Sequence, residues 1–186
     1  MGALRSFFVA DILSAFFFSE VFSMRNSHFL AHSAIIAAIY TVLCYLQNLI
    51  LPGSASWAIQ MRAAEAMSVL AFFTPAAIPG LTVGCLLSNW LTGCAPLDIL
   101  FGTIATLLGA LGSYALRKHQ WLVPLPPILA NTIIVPWVLR FAYGAKEAVP
   151  YMMLTVGIGE IISCYVLGMI LLLSLKKFGG SLFETH

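Results

Sequence analysis

"YMMLTVGIGEIISCYVLGMILLLSL", residues 151–175, contains one charged side chain, Glu160, and is closed by Lys176 and Lys177. A helix rises 1.5 Å per residue, so this stretch is about 37 Å long and can cross a hydrocarbon layer of about 30 Å. The rest of the chain agrees with that reading. It is 61% hydrophobic and 9% charged over 186 residues, with a mean hydropathy of +0.97. A soluble domain carries about 25% charged residues, and this chain lacks the polar groups to cover its surface. Its apolar runs are too long for barrel strands, so helices are the expected element.

Five further apolar segments precede it: residues 29–51, about 59–73, 78–91, 97–116 and 126–143. The breaks between them are "PGSASW", Thr74-Pro75, "TGCAP" and "RKHQ". Proline and glycine in these breaks end helices. The expected fold is an all-α, polytopic membrane protein with six transmembrane helices. Segments two and three are short, which leaves open a kinked hairpin and a count of five. Six spans place both termini on one side with Arg25, Arg117, Lys118, Lys176 and Lys177, and the basic excess puts that side in the cytoplasm. Loops 52–58, 92–97 and 144–150 then face outward.

Residues 1–23 are apolar but broken by Asp11 and Glu20, and Met24 restarts the chain with a basic flank. They read as a non-native or amphipathic extension. Residues 24–178 form the membrane domain and 179–186 a cytoplasmic tail. Cys44, Cys85, Cys94 and Cys164 lie in or beside apolar segments without metal-ligand spacing, and read as small buried hydrophobes. No basic run points to nucleic acid, and no HExxH, Walker or Gly-rich phosphate motif points to catalysis. His28 and His32 are four apart but have no further ligands, so no metal site and no cofactor are expected.

An ionisable side chain within a span is a functional candidate by default. Glu160 lies nine residues past Tyr151, about 13 Å down the helix. Asn131, which can donate and accept, is also well inside its span. Asn89 and Asp98 lie toward the outward ends of their segments, Asp98 as either a helix cap or a site residue. Trp57, Trp90, Trp137 and Tyr143 gather toward the outer face as an aromatic belt, with Trp137 a candidate for stacking on a planar ligand. Arg62 and Glu65 are spaced to meet on one side of a helix at its outer end, with Gln60 beside them. They read as a structural pair or a pocket lid. Small residues mark packing faces: Gly80 and Gly84 on segment three, and Ala34 and Ala38 on segment one, the second a candidate docking face for a membrane partner. A carboxylate with amides in an aromatic-lined cavity suits a small planar molecule with several N–H donors.

"IQMRAAEAMSVLAFFTPAAIPGLTVGCLLSN", "PLDILFGTIATLLGALGSYALRK", "PLPPILANTIIVPW" and "VGIGEIISCYVLGMILLL" together resemble the queuosine-precursor substrate-binding (S) components of energy-coupling-factor (ECF) transporters, the QueT-like family. The Q-x-R-x-x-E pattern at Gln60, Arg62 and Glu65, the "AIPGL" turn, the "PLPP" opening with Asn131, and the "GE" ending at Glu160 carry the resemblance, which spans residues 24–178. It implies a bacterial cytoplasmic-membrane protein that captures a 7-deazaguanine base from outside and is not itself an enzyme. A transmembrane coupling subunit, docking on Ala34 and Ala38, and two cytoplasmic ATPase subunits would complete the importer. The resemblance also implies closure by the 52–58 loop. Glu160 is expected to accept the N–H groups of the base, and Asn131 to hold its carbonyl side. The alternatives are an S component for another small vitamin-like molecule and a non-catalytic structural membrane subunit.

Overall fold

The computed structural model of the chain describes residues 27–51 and 62–178. The expectations for residues 1–23, loop 52–58 with Trp57, Gln60 and the tail 179–186 lie outside the described residues. Within them the chain is all-α. Five α-helices appear: α1 (Ser27–Ile50), α2 (Ala77–Leu91), α3 (Pro96–Ala115), α4 (Leu125–Ala142) and α5 (Val149–Phe178). A 3-10 helix, Ala63–Phe72, lies between α1 and α2 in sequence. A seven-residue π-helical stretch, Ile161–Leu167, interrupts α5 immediately after Glu160.

The expectation of six transmembrane helices is corrected by these lengths. Four helices, α1, α3, α4 and α5, are long and apolar enough to cross a membrane. The 3-10 helix has 10 residues, and at about 2.0 Å per residue it covers about 20 Å. Helix α2 has 15 residues, or about 22 Å at 1.5 Å per residue. Neither reaches the ~30 Å of a bilayer core. Apolar composition made both look like spans, but Thr74-Pro75 ends one before it is long enough, and Gly93 (φ 72°) and Pro96 bound the other. The 3-10 helix also serves a different purpose from a lipid-facing span. It packs against α1, α3 and the second half of α5, and Ala64 to Val69 and Ala71 are all buried. A helix apolar on every side belongs in a protein interior.

Successive helices otherwise pack on their neighbours in chain order. Small residues set the closest approaches. A Cβ on Gly84 would stand 2.8 Å from Tyr40 Cβ and 3.0 Å from the Ala37 carbonyl oxygen. A Cβ on Gly80 would stand 2.9 Å from Ile36. The Gly80/Gly84 step therefore joins α2 to α1, as small-xxx-small faces do. On α3, a Cβ at Gly109 would meet Pro127 Cα at 2.8 Å, so the first turn of α4 seats directly on the α3 backbone.

One end of the molecule collects basic side chains. Lys176 Nζ donates to Gln120 Oε1 (2.8 Å) and lies 5.6 Å from the Phe72 ring, while Arg117 stacks over Tyr114. The C-terminal ends of the 3-10 helix, α3 and α5 thus share the face that the basic flanks had grouped. The outer surface of the bundle is apolar, with Leu49, Ile50, Leu129, Ile133, Leu154 and Ile170 exposed. Exposed apolar area of that extent requires a lipid or protein neighbour.

Candidate functional site

Three helical segments are irregular. The first is the 3-10 helix, which is much longer than the usual three or four residues of that conformation. The second is α4 at Pro136, a buried proline inside the helix. Its missing N–H leaves the Thr132 carbonyl without its intrahelical donor. The third is the π-helical stretch of α5, a form that recurs at functional positions. Beside these irregularities sit Glu65, Asn131 and Glu160, respectively.

Glu65 and Glu160 are 2% and 4% exposed. Their carboxylates and the Cys164 thiol offer acceptor atoms that all lie within 4.8 Å of one another. Tyr40 donates its phenolic proton to Glu65 Oε1 at 2.8 Å. Cys164 Sγ lies 3.2 Å from Glu160 Oε2 and 3.6 Å from the Glu65 carbonyl oxygen. The Asn131 amide is within hydrogen-bonding reach of Glu160. Ser68 Oγ is buried with no hydrogen-bond partner and faces Cys164. Thr132 Oγ1 on α4 is also buried and unpartnered. Buried polar atoms are nearly always satisfied in a folded protein, so the Ser68 hydroxyl facing this cluster is a further polar group of the interior.

The structure revises the reading of Arg62 and Glu65. Arg62 is not helical: its φ and ψ are −119° and 101°, and it stands just before the 3-10 helix. The helical i,i+3 pairing that the spacing suggested therefore does not form, and the Glu65 carboxylate is held by Tyr40 instead. The pair is not at the rim either. The Arg62 N–H donates to Ser163 Oγ (3.2 Å), near the middle of α5, and Ala63 N–H donates to Gln47 Oε1 (2.7 Å). Glu65 and Glu160 thus share one level instead of dividing into mouth and depth. The Arg62 charge acts on Asp98 first and also on Tyr40 and Glu65, and it reaches Glu160 as well.

A second polar group lies where α3 begins. Asp98 is 6% exposed and accepts from Tyr143 Oη at 2.8 Å. The same phenolic oxygen accepts from Ala95 N–H at 3.2 Å. Asp98 makes no capping bond to its own helix, whose N-cap is Ala95, so its side chain is free for this tertiary contact. Asn89 faces it across α2 and α3. A Cβ at Gly102 would stand 3.1 Å from Asn89 Nδ2 and 3.4 Å from Asp98 Oδ1, and Asn89 Nδ2 also lies 3.6 Å from Cys85 Sγ. Burial first, then the Asp98 carboxylate that accepts its proton, push the Tyr143 phenol well above its ordinary value.

Of the residues singled out from sequence, Glu160, Asn131, Glu65 and Arg62 converge on one interior, while Asp98 and Asn89 form the second group at the start of α3. Trp137 does not join them: it is 47% exposed and stacks on Phe141 at 6.2 Å between ring centroids. Ala34 and Ala38 are exposed on α1. Tyr40, Ser68 and Cys164 belong to the site and were not anticipated. Cys164 carried a signal, because it is four residues after Glu160 and so on the same helix face. Tyr40 and Ser68 carried none, since their placement depends on how the 3-10 helix packs.

This polar interior lies in a bundle of which four helices are long and apolar enough to cross a membrane. A model of one protein family matches residues 30–177, and its description is QueT transporter. The chain belongs to the QueT transporter family. That family is the one its motifs resemble, and it makes the chain a transport component, the S component of an ECF-type transporter, and not an enzyme. Together with the four long apolar helices, the QueT assignment makes it a multi-pass membrane protein. No curated protein and no solved structure matches the chain significantly.

Proposed function

We propose that this QueT-family chain is the substrate-capture subunit of an ECF-type importer in the bacterial cytoplasmic membrane, and that it binds a 7-deazaguanine precursor of queuosine from the outer side. Glu160 and Asn131 contact the ligand at the centre of the bundle, with Glu65 and Arg62 beside them. Asp98 and Asn89 flank the path from the outer end. Ala34 and Ala38 form the face on which the transmembrane coupling subunit docks, and two ATPase subunits bound to that subunit drive release inward.

The observation that carries this reading is the pairing of family membership with a buried polar cluster, Glu65, Asn131 and Glu160, inside an apolar bundle. Carboxylates desolvated inside a membrane protein are costly unless they are paired or functional. Here, the buried Ser68 hydroxyl faces the same cluster. The exposed alanines of α1 suit close helix–helix docking, because small side chains let two backbones approach.

Uptake of a labelled deazaguanine by cells expressing this chain with a coupling subunit and its ATPases tests the assignment. Uptake that requires all components and is competed by unlabelled deazaguanine, but not by common vitamins, is the expected result. Competition by a vitamin instead would move the chain to another ligand of the same transporter class.

A further inference from the structure

The C-terminal ends of α3 and α5 gather cations that no described carboxylate neutralises. Arg117 and Lys118 stand just past α3, and Lys176 and Lys177 close α5. All are exposed. The bond from Lys176 to Gln120 joins the two pairs into one patch. Among the described acids, Glu65, Asp98 and Glu160 are buried, and Glu147 lies past Ala142, at the end of α4 opposite Leu125. That opposite end holds no comparable cluster: Arg140 and Lys146 stand there with Glu147, and Arg140 Nη1 is taken by the Ala145 carbonyl at 2.7 Å.

The patch sits at a particular height. Helix α3 has 20 residues, about 30 Å at 1.5 Å per residue, which is the thickness of a bilayer core. Arg117 and Lys118 therefore stand just past the core boundary. Lys176 follows the apolar run of α5 in the same way. Trp121 and Phe178, beside the cations, are exposed, and aromatic rings with such neighbours settle at the headgroup level. Leu122, Leu125 and Leu173 are exposed on the core side of the charges, where acyl chains lie.

We propose that this patch binds the headgroup of an anionic phospholipid, with Arg117, Lys118, Lys176 and Lys177 around the phosphate and the neighbouring leucines against the acyl chains. Charge complementarity decides for a lipid: unbalanced cations at headgroup height adjoin an apolar surface that needs a lipid or protein neighbour. The Arg117 guanidinium is already positioned. It lies 3.8 Å over the Tyr114 ring, and its Nη1 donates to the Tyr114 carbonyl at 3.3 Å. Its remaining donors form the planar fork that matches a phosphate. Lys118 and Lys177 have no hydrogen-bond partner among the described residues, so their ammonium groups are available to the same anion. The site is independent of the deazaguanine ligand and of which way the bundle is inserted.

The test weighs phosphatidylglycerol against phosphatidylcholine, which has the same phosphodiester but no net charge. The purified full chain is placed in detergent micelles containing both lipids in equal amounts, and native mass spectrometry reads the lipid it retains. Retention of phosphatidylglycerol is expected to exceed that of phosphatidylcholine about 5- to 25-fold, the effect of one to two cations at about fivefold each. Lys118→Gln with Lys177→Gln should bring the ratio to within about twofold, and Lys146→Gln should leave it unchanged. Cations that only set the direction of insertion would give no preference in a micelle. Equal retention by the unmodified protein overturns the proposal, as does a preference that survives the double variant. A preference lost equally in Lys146→Gln reports net charge and overturns the site. Displacement of the lipid by sn-glycerol 3-phosphate makes this a site for a soluble phosphate and overturns the lipid assignment. If the double variant does not fold, Lys118→Gln alone carries the comparison, with an expected fall of about fivefold; an unchanged ratio there overturns the proposal.

Discussion

Tyr40→Phe removes one oxygen from the interior and almost nothing else. Tyr40 is 1% exposed, and its hydroxyl donates to Glu65 Oε1 at 2.8 Å across 25 residues of chain. The ring packs against Gly84, where no Cβ intervenes, and phenylalanine fills the same volume. The cost is therefore the lost bond to a charged acceptor, about 1.5–3 kcal/mol. For a protein of this size, 1 kcal/mol shifts Tm by about 2–4 °C, so the expected drop is about 3–12 °C. Thermal unfolding of the detergent-solubilised protein, followed by circular dichroism or dye binding, reads it directly. The double variant Tyr40→Phe with Glu65→Gln separates this bond from general damage. If the two residues act through each other, the double variant loses less than the sum of the single losses, by about 0.5–3 kcal/mol. An unchanged Tm in Tyr40→Phe, or strict additivity in the cycle, would refute the claim that Tyr40 holds Glu65 in place.

Other outcomes follow from the same geometry. Gly84→Leu forces a side chain into Tyr40 Cβ and the Ala37 carbonyl, so α1 should separate from α2, and the variant should elute as aggregate or lose several kcal/mol of stability, on the order of the overpacking cost. Ala34→Leu with Ala38→Leu should leave ligand affinity unchanged while abolishing co-purification with the coupling subunit; retained co-purification rules out that face. Tyr143→Phe tests a pH effect. The folded phenol titrates above the unfolded one, so its contribution is complete below about pH 10 and is lost as pH rises toward the folded value. The unmodified protein should therefore lose more stability than Tyr143→Phe between about pH 10 and 11 in denaturation at fixed temperature, and parallel curves contradict this.

The sequence placed the elements more accurately than it placed their depth. Residues 97–116, 126–143 and 151–175 anticipated α3, α4 and α5 to within a few residues, because proline and basic residues bound them and each is long enough for composition to decide. Residues 59–73 misled for a physical reason. A lipid-facing helix and a helix buried within protein are both apolar all round, and a count of apolar residues does not separate them. Only the packing of the 3-10 helix inside the bundle does. That one element decides the site. As a lipid-facing span it would carry Arg62 and Glu65 at an outer rim; as an interior segment starting beside Ser163 it carries Glu65 to Glu160. Glu160 and Asn131 were legible because a polar side chain within a long apolar run stands out from its neighbours. Tyr40 and Ser68 were not, because the residues they face are 25 residues away in one case and on another helix in the other. Trp137 was singled out for its chemistry alone, and the turn of α4 carries it outward to Phe141.

The most direct test of the central claim is equilibrium binding of a 7-deazaguanine precursor to the purified chain, compared with Glu160→Gln protein that keeps the wild-type Tm. The account predicts saturable one-site binding to the unmodified protein and a loss of about 10-fold or more in the variant, as expected when a charged hydrogen-bond acceptor is neutralised. Equal affinity of the two proteins, or no binding to either, would contradict it.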